Sequence, residues 1–154
     1  FRYKFLVLDG PSRTGKSMFA AALEGRDHTL EVSCGGWGMH PDLRAYDWQK
    51  HRAILFDEAS AAMVIMNKRL FQCPAVMVDL GGSATNVHAY KVWVHQKKFI
   101  ITSNCWQEDV RNLRAGEAEW LNANSVVLKV TSPLWDEEAE DDPGFQMDEE
   151  FLWG

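Results

Sequence analysis

The stretch that most constrains this chain is residues 5–17, in which an apolar run leads straight into a glycine-bounded loop. Residues 5–8 are typical of a buried strand, and residues 10–17 match the spacing G-x-x-x-x-G-K-[ST]. In such a loop the backbone N–H groups turn inward on a polyphosphate, and the N-terminus of the next helix adds partial positive charge. The predicted nucleotide-binding residues are Gly10, Pro11, Ser12, Arg13, Thr14, Gly15, Lys16 and Ser17.

Two side chains of this loop are predicted to act on the nucleotide directly. The spacing predicts that Lys16 reaches the β and γ phosphates of ATP and that Ser17 offers its hydroxyl to Mg²⁺. Residues 18–23 are rich in Ala and Leu and are expected to continue as a helix. The loop therefore implies ATP and Mg²⁺ as ligands.

A second apolar run ends in a pair of acids. Residues 53–56 are typical of a buried strand, and Asp57 and Glu58 follow it. As a central parallel strand, this run would reach the same carboxyl edge of the sheet as the first strand, where open α/β sheets bind ligands. Asp57 is then predicted to hold Mg²⁺, and Glu58 to orient or deprotonate the attacking water. An ATPase needs such an acid, whereas a kinase does not.

A third strand-like segment covers residues 97–104, in which the apolar residues 99–101 are followed by small polar side chains. It is predicted to be another buried parallel strand. Its last residue, Asn104, is expected to stand between the two earlier strand ends and to contact the γ-phosphate or the lytic water. The predicted catalytic residues are Lys16, Asp57, Glu58 and Asn104.

The remaining periodic segments supply the other elements of an α/β fold. Further strands are predicted at residues 28–32 and 125–130, and further helices at residues 59–72 and 108–120. Met63 and Met66, in the first of these helices, are interpreted as core residues.

A hairpin is predicted between these elements. Residues 75–80 and 88–95 read as two strands around a Gly-Gly turn. The second arm mixes positive charge with aromatic rings, the combination that holds single-stranded DNA by phosphate attraction and base stacking. His88 and Lys91 are the predicted DNA-binding residues. An ordinary amphipathic hairpin is the alternative.

Composition predicts one globular domain followed by an acidic tail. The chain has 154 residues, 46% of them hydrophobic, which is enough for one core. Of its 22 acidic residues, nine lie in residues 136–150, which contain no Lys or Arg. The rest of the chain therefore has thirteen acidic residues and sixteen Lys and Arg, a small excess of positive charge. We therefore assign residues 1–135 to the domain and 136–154 to a flexible, solvated tail. Alternatively, the tail docks on a basic face and competes with DNA.

Other features of the sequence bear on its location. No apolar run approaches the ~20 residues that a membrane helix needs, and no signal-peptide pattern begins the chain. The three cysteines are odd in number and form no C-x-x-C pair, which suggests neither a disulfide framework nor a zinc site. We predict a soluble protein of a reducing intracellular compartment, without a membrane partner. Because Phe1 lies just before the first strand, we expect a piece of a longer protein.

Taken in order, four segments of the chain resemble the A, B, B′ and C motifs of superfamily-three helicases. They are residues 10–17, 54–58, 81–82 and 99–104. The resemblance, which covers residues 5–130, is strongest to the helicase domain of replication-initiator (Rep) proteins of small circular single-stranded DNA viruses and related elements. It implies a three-layer α/β P-loop NTPase, AAA+-like, with a mostly parallel central sheet flanked by helices and an inserted β-hairpin.

The resemblance also implies partners. Such proteins assemble as rings, commonly hexamers, and translocate on single-stranded DNA with 3′-to-5′ polarity, usually with a nicking endonuclease domain upstream. A eukaryotic virus would place the protein in the host nucleus. A neighbouring subunit would supply an arginine finger, for which Arg111 and Arg114 are the candidates. Many relatives carry Lys where this chain has Leu80, so the DNA-gripping charge is either displaced to Lys91 or lost.

Three functions are compatible with these motifs. The first is a DNA-stimulated ATPase and helicase domain. The second is a P-loop ATPase for assembly, packaging or regulation that does not unwind DNA. The third, a small-molecule or nucleoside kinase, is disfavoured by the acidic pair at residues 57–58 and by the missing basic segment that would form a lid.

Overall fold

A computed structural model describes residues 3–11, 14–34, 40–80 and 89–131. Within these ranges the strands are β1 (Phe5–Asp9), β2 (Thr29–Ser33), β3 (Ala53–Asp57), β4 (Val78–Leu80), β5 (Tyr90–Val92), β6 (Lys98–Ser103) and β7 (Ser125–Lys129). The helices are α1 (Lys16–Leu23), α2 (Ala61–Met66), α3 (Lys68–Phe71), α4 (Trp106–Arg111) and α5 (Ala115–Asn124), with a 3₁₀ turn at Arg26–His28. The predicted tail lies outside the described residues.

Five strands form one sheet in the order β2-β3-β6-β1-β7, and every neighbouring pair is parallel. Their apolar runs suit this arrangement, because strands of a parallel sheet are buried on both faces. The register pairs Leu8 with Thr102 and Asp9 with Ser103, so β1 and β6 end side by side. The carboxyl ends of β1, β6 and β3 therefore meet at one edge of the sheet.

Helices cover both faces of this sheet. Along β1, Phe5 and Val7 belong to a core cluster that includes residues of α2, α3, α4 and α5, whereas Leu6 and Leu8 pack with α1. Aromatic rings fill the first cluster, with the centroids of Phe56 and Phe71 only 4.8 Å apart. The three-layer α/β fold predicted from the sequence is confirmed.

The single helix predicted at residues 59–72 is wrong, because Asn67 divides it into α2 and α3. Asn67 has φ −122°, outside the helical region, and its side-chain amide donates to the backbone oxygen of Met63 at 2.7 Å. Asparagine side chains compete in this way with the regular helical hydrogen bonds. Met63 is buried as predicted, but Met66 is 53% exposed, so its assignment to the core is also wrong.

The helix predicted at residues 108–120 is likewise two helices. The first, α4, begins at Trp106, whose ring is buried and anchors it in the core. Arg114 then takes an extended conformation, with ψ 151°, before α5 begins. Its backbone N–H donates to the carboxylate of Glu117 at 3.3 Å, an interaction typical of a helix N-terminus.

Within the described residues, the predicted hairpin is present as β4 and β5. These two strands pair antiparallel, with Asp79 opposite Lys91. Residues 81–88, which include the predicted Gly-Gly turn and His88 of the predicted second arm, lie outside the described residues. Over the part of the chain that the structure describes, no helix is long and apolar enough to cross a membrane.

Candidate nucleotide site

The loop after β1 starts at a glycine that the packing requires. A Cβ atom added to Gly10 would lie 2.1 Å from the backbone oxygen of Val130, far inside contact distance. The backbone N–H of Gly10 donates to the oxygen of Ser103 at 3.1 Å, which ties the loop to the end of β6. At the other end of the loop, Gly15 has φ +79°, a conformation that favours glycine, and α1 follows at once.

This packing predicts a stability effect that can be measured by urea unfolding. Gly10→Ala should destabilise the chain by about 1–3 kcal/mol, because the new methyl group must push the Val130 carbonyl away. Gly116→Ala is the matched control, since no atom lies within 4 Å of its added methyl group in α5. That substitution should stabilise by about 0.5–1 kcal/mol. A Gly10→Ala protein as stable as the parent would contradict the assigned contact.

The ammonium group of Lys16 is the centre of the site. It donates to the backbone oxygens of Gly10 at 2.9 Å and Pro11 at 2.7 Å, and to the side-chain oxygens of Thr14 at 3.3 Å and Asn104 at 3.2 Å. The side chain is buried, and this burial lowers the pKa of Lys16 although nearby carboxylates oppose the shift. Ser12 and Arg13, also predicted here, lie outside the described residues.

A carboxylate with two hydroxyl partners lies next to this loop. Asp57 Oδ1 accepts a hydrogen bond from the Ser17 hydroxyl at 2.6 Å and another from the Thr102 hydroxyl at 2.7 Å. A serine hydroxyl and an aspartate oxygen are hard ligands of the kind that Mg²⁺ prefers. The donor set at the head of α1 and the end of β3 therefore fits the predicted metal.

Glu58 follows Asp57 in an unusual backbone conformation. Its φ is +57°, in the left-handed region that few residues other than glycine adopt. Its exposed side chain lines a cavity of about 260 Å³ together with Asn104 and Asp109. The structure thus brings Glu58, the predicted water-activating acid, and Asn104, predicted to contact the γ-phosphate or the lytic water, to the same small cavity.

Asn104 lies between the ends of β1 and β3 because β6 runs between these strands. Its side-chain oxygen accepts from Lys16 Nζ, so one ammonium group links the loop after β1 to the end of β6. The four residues predicted as catalytic are therefore brought together at one edge of the sheet.

Sequence reasoning missed two buried polar residues at these strand ends. Thr102 is 2% exposed and bonds to the segment that carries Asp57 and Glu58. Asp9, at the end of β1, accepts the backbone N–H of Trp106 at 3.1 Å and so holds the start of α4 beside Asn104. Both are polar residues that follow the apolar part of a strand. Because a buried polar group needs a hydrogen-bond partner, this pattern in the sequence could have indicated that they bond to neighbouring segments.

Lys91, Arg111 and Arg114, predicted to bind DNA or to act as arginine fingers, do not line the cavity that Glu58 shares with Asn104. Lys91 is exposed on β5, with its ammonium group 3.9 Å from a carboxylate oxygen of Asp79. Arg111 ends α4 and Arg114 precedes α5, and both are exposed. Among the described residues, no carboxylate forms an ion pair with either guanidinium group.

A wide groove of about 900 Å³ runs beside the hairpin. Its lining includes the aromatic residues Tyr46, Trp48, Tyr90 and Trp93. The guanidinium carbon of Arg44 lies 5.0 Å from the centre of the Tyr90 ring, a cation–π contact. The groove therefore combines aromatic faces with positive charge.

Comparison with known proteins identifies the fold but no family. No protein-family model matches the chain, and no curated protein sequence matches it. Among solved structures, NtrX from Brucella abortus in complex with ADP is similar, with a TM-score of 0.50 and 18% identity over 92% of this chain and 34% of NtrX. The chain thus spans about a third of the length of that protein.

Two further structures show weaker likeness. NtrX from Brucella abortus in complex with ATP has a TM-score of 0.49 and 17% identity, over 92% of this chain and 36% of that one. The C-terminal region of NrS-1, in an apo form, has a TM-score of 0.47 and 16% identity, over 88% of this chain and 31% of that one. Together with the parallel sheet and the loop of residues 10–17, the likeness to the ADP complex identifies a P-loop NTPase-like fold.

Proposed function

We propose that this chain is the ATP-hydrolysing domain of a DNA helicase of the viral replication-initiator type. The observation that carries the hydrolytic part is the cluster at the carboxyl edge of the sheet. There Lys16 Nζ contacts Asn104 Oδ1 at 3.2 Å, and Ser17 Oγ contacts Asp57 Oδ1 at 2.6 Å. The fold is shared with NtrX, a protein whose structure contains ADP, which supports a ligand of the same class here.

The mechanism follows from the chemistry of these side chains. Lys16 would exchange its bonds to the loop carbonyls for bonds to phosphate oxygens of ATP, because a charged acceptor binds an ammonium more strongly than a neutral one. Ser17 and Asp57 would hold Mg²⁺, which neutralises charge on the β and γ phosphates. The N-terminus of α1 would add its partial positive charge to the same phosphates.

Hydrolysis requires a water molecule in line with the γ-phosphate. Glu58 would accept a proton from this water or orient it, and Asn104, which lines the same cavity, would contact the γ-phosphate. An arginine of a neighbouring subunit, with Arg111 and Arg114 as candidates, would stabilise the charge of the transition state. This last role requires a ring, for which we propose a hexamer.

The helicase activity rests on the motif order and on the hairpin. The groove beside the hairpin offers aromatic and cationic side chains, which suit unpaired bases and phosphates. Lys91 would contact DNA from the same arm, as would His88. From the resemblance to replication-initiator helicases, we also propose translocation with 3′-to-5′ polarity and a nicking endonuclease domain upstream.

Two observations favour the alternative, an ATPase for assembly, packaging or regulation without unwinding. Leu80 occupies the position before the Gly-Gly turn, and Lys91 already lies near Asp79. Both features reduce the positive charge that the hairpin offers to a phosphate backbone.

A strand-displacement assay combined with an ATPase assay tests the proposal. We expect single-stranded DNA to stimulate ATP hydrolysis, and a duplex with a 3′ single-stranded tail to be unwound only when ATP is present. Glu58→Gln is the control, because it should bind the same DNA without unwinding it. Hydrolysis without DNA stimulation or unwinding would support the alternative, and phosphoryl transfer to an acceptor molecule would support a kinase.

A further inference from the structure

A single threonine holds the segment that carries both predicted catalytic acids. The hydroxyl group of Thr102 donates to Asp57 Oδ1 at 2.7 Å and accepts the backbone N–H of Glu58 at 3.1 Å. The backbone oxygen of Thr102 accepts the N–H of Ala59 at 3.2 Å. Three consecutive residues at the end of β3 are thus bonded to one residue of β6.

The conformation held in this way is an unfavourable one for the residue that adopts it. Glu58 has φ +57°, and a residue with a Cβ atom occupies this region only when its surroundings impose it. The contacts on either side of the Glu58 backbone come from Thr102, which is 2% exposed. Together with the backbone N–H of Cys34, which donates to the oxygen of Asp57 at 2.8 Å, Thr102 therefore holds the backbone from which the Glu58 side chain extends.

Both hydrogen-bonding functions of the Thr102 hydroxyl group, donor and acceptor, are used at this site. A threonine hydroxyl has one proton, and here it is directed to Asp57, while a lone pair receives the N–H of Glu58. The two acids are predicted to have different roles, one toward the metal and one toward the water. The hydroxyl group of Thr102 contacts both, whereas the hydroxyl group of Ser17 contacts Asp57.

We propose that Thr102 is a positioning residue of the hydrolytic site, which aligns the Asp57 carboxylate and the Glu58 backbone with each other. The inference rests on the proposed hydrolytic function and deepens it. Thr102 does not line the cavity that Glu58 shares with Asn104, so it acts through the two acids. Its effect should therefore fall on the chemical step rather than on nucleotide binding.

Two substitutions distinguish the effect of losing the hydroxyl group from the effect of changing the side-chain volume. Thr102→Val keeps the shape and removes the hydroxyl, whereas Thr102→Ser keeps the hydroxyl and removes a methyl group. We expect Thr102→Val to lower kcat by about ten- to hundredfold, because a buried N–H and a carboxylate each lose a partner. The KM for ATP should change less than about threefold, and Thr102→Ser should stay within about threefold of the parent kcat.

A second readout does not depend on hydrolysis. Amide hydrogen exchange, resolved by residue with NMR, should show that Thr102→Val speeds exchange at Glu58 at least about tenfold. Exchange at Ala59 should be unchanged, because its N–H is bonded to the backbone oxygen of Thr102. If Thr102→Val does not fold, Thr102→Ala carries the same two predictions.

The outcomes distinguish this inference from the proposed function. A parent chain that hydrolyses ATP, with a Thr102→Val variant of parental kcat, overturns the inference alone. So does a Thr102→Ser variant as impaired as Thr102→Val, or unchanged exchange at Glu58. A parent chain that binds ATP without hydrolysing it removes the proposed function, and the positioning role with it.

Discussion

Lys16→Ala is expected to abolish measurable ATP binding at micromolar nucleotide. The ammonium group is buried at the mouth of the loop and is the only side-chain cation found within bonding distance of it among the described residues. Loss of one partner from a desolvated charged contact costs about 2–5 kcal/mol, which weakens binding by roughly 30- to 4000-fold. Equilibrium titration with a fluorescent ATP analogue measures the effect.

The control for this substitution is Lys4→Ala. Lys4 is exposed at the opposite end of β1, so this variant loses the same charge without touching the loop. Its affinity for ATP should equal that of the parent. Thermal unfolding of both variants tests whether the loop itself is lost, because Lys16 also ties the Gly10 and Pro11 carbonyls to Asn104. Parental affinity in a folded Lys16→Ala protein would contradict the assigned nucleotide site.

Glu58→Gln is expected to retain ATP binding and to stop hydrolysis. Glutamine has the same shape as glutamate but cannot accept a proton from water, and a general base contributes typically 10²- to 10⁴-fold to a rate. The backbone N–H of Glu58 keeps its bond to Thr102, so the conformation of the segment should persist. We therefore expect kcat to fall by about 10²- to 10⁴-fold, while the Kd for ATP changes less than about threefold.

Glu119→Gln is the matched control, since it neutralises an exposed acid of α5 remote from the carboxyl edge of the sheet. It should hydrolyse ATP at the parental rate. Steady-state release of phosphate, with ATP binding measured on the same preparations, gives both quantities. Hydrolysis by Glu58→Gln at the parental rate would show that another group activates the water.

The sequence was sufficient to predict the parts of the site that depend on local pattern. The apolar run before residues 10–17 predicted β1, and the acids after residues 53–56 predicted the polar end of β3. Because the carboxyl ends of parallel strands meet at one edge, the placement of Asn104 near Lys16 also followed. These features depend only on short-range spacing and on the common direction of strands in a parallel sheet.

The features that the sequence did not reveal depend on contacts between distant segments or on one side chain. Asn67 interrupts a helix-forming segment because its amide group bonds to the turn before it, which hydrophobic periodicity cannot detect. The role of Thr102 depends on the pairing of β3 with β6, which brings its hydroxyl group to Asp57 and which the sequence of β6 alone does not indicate. The groove beside the hairpin joins residues 43–48 to residues 89–93, a contact that neither segment indicates alone.

The most direct test of the central claim, that this edge of the sheet is a hydrolytic nucleotide site, is a single-turnover experiment. The parent chain, in excess over ATP labelled in its γ-phosphate, is incubated with Mg²⁺ and single-stranded DNA, and the label is followed over time. We predict that bound ATP is converted to ADP and free phosphate. Intact ATP after binding, or label transferred to an acceptor instead of water, would contradict the claim.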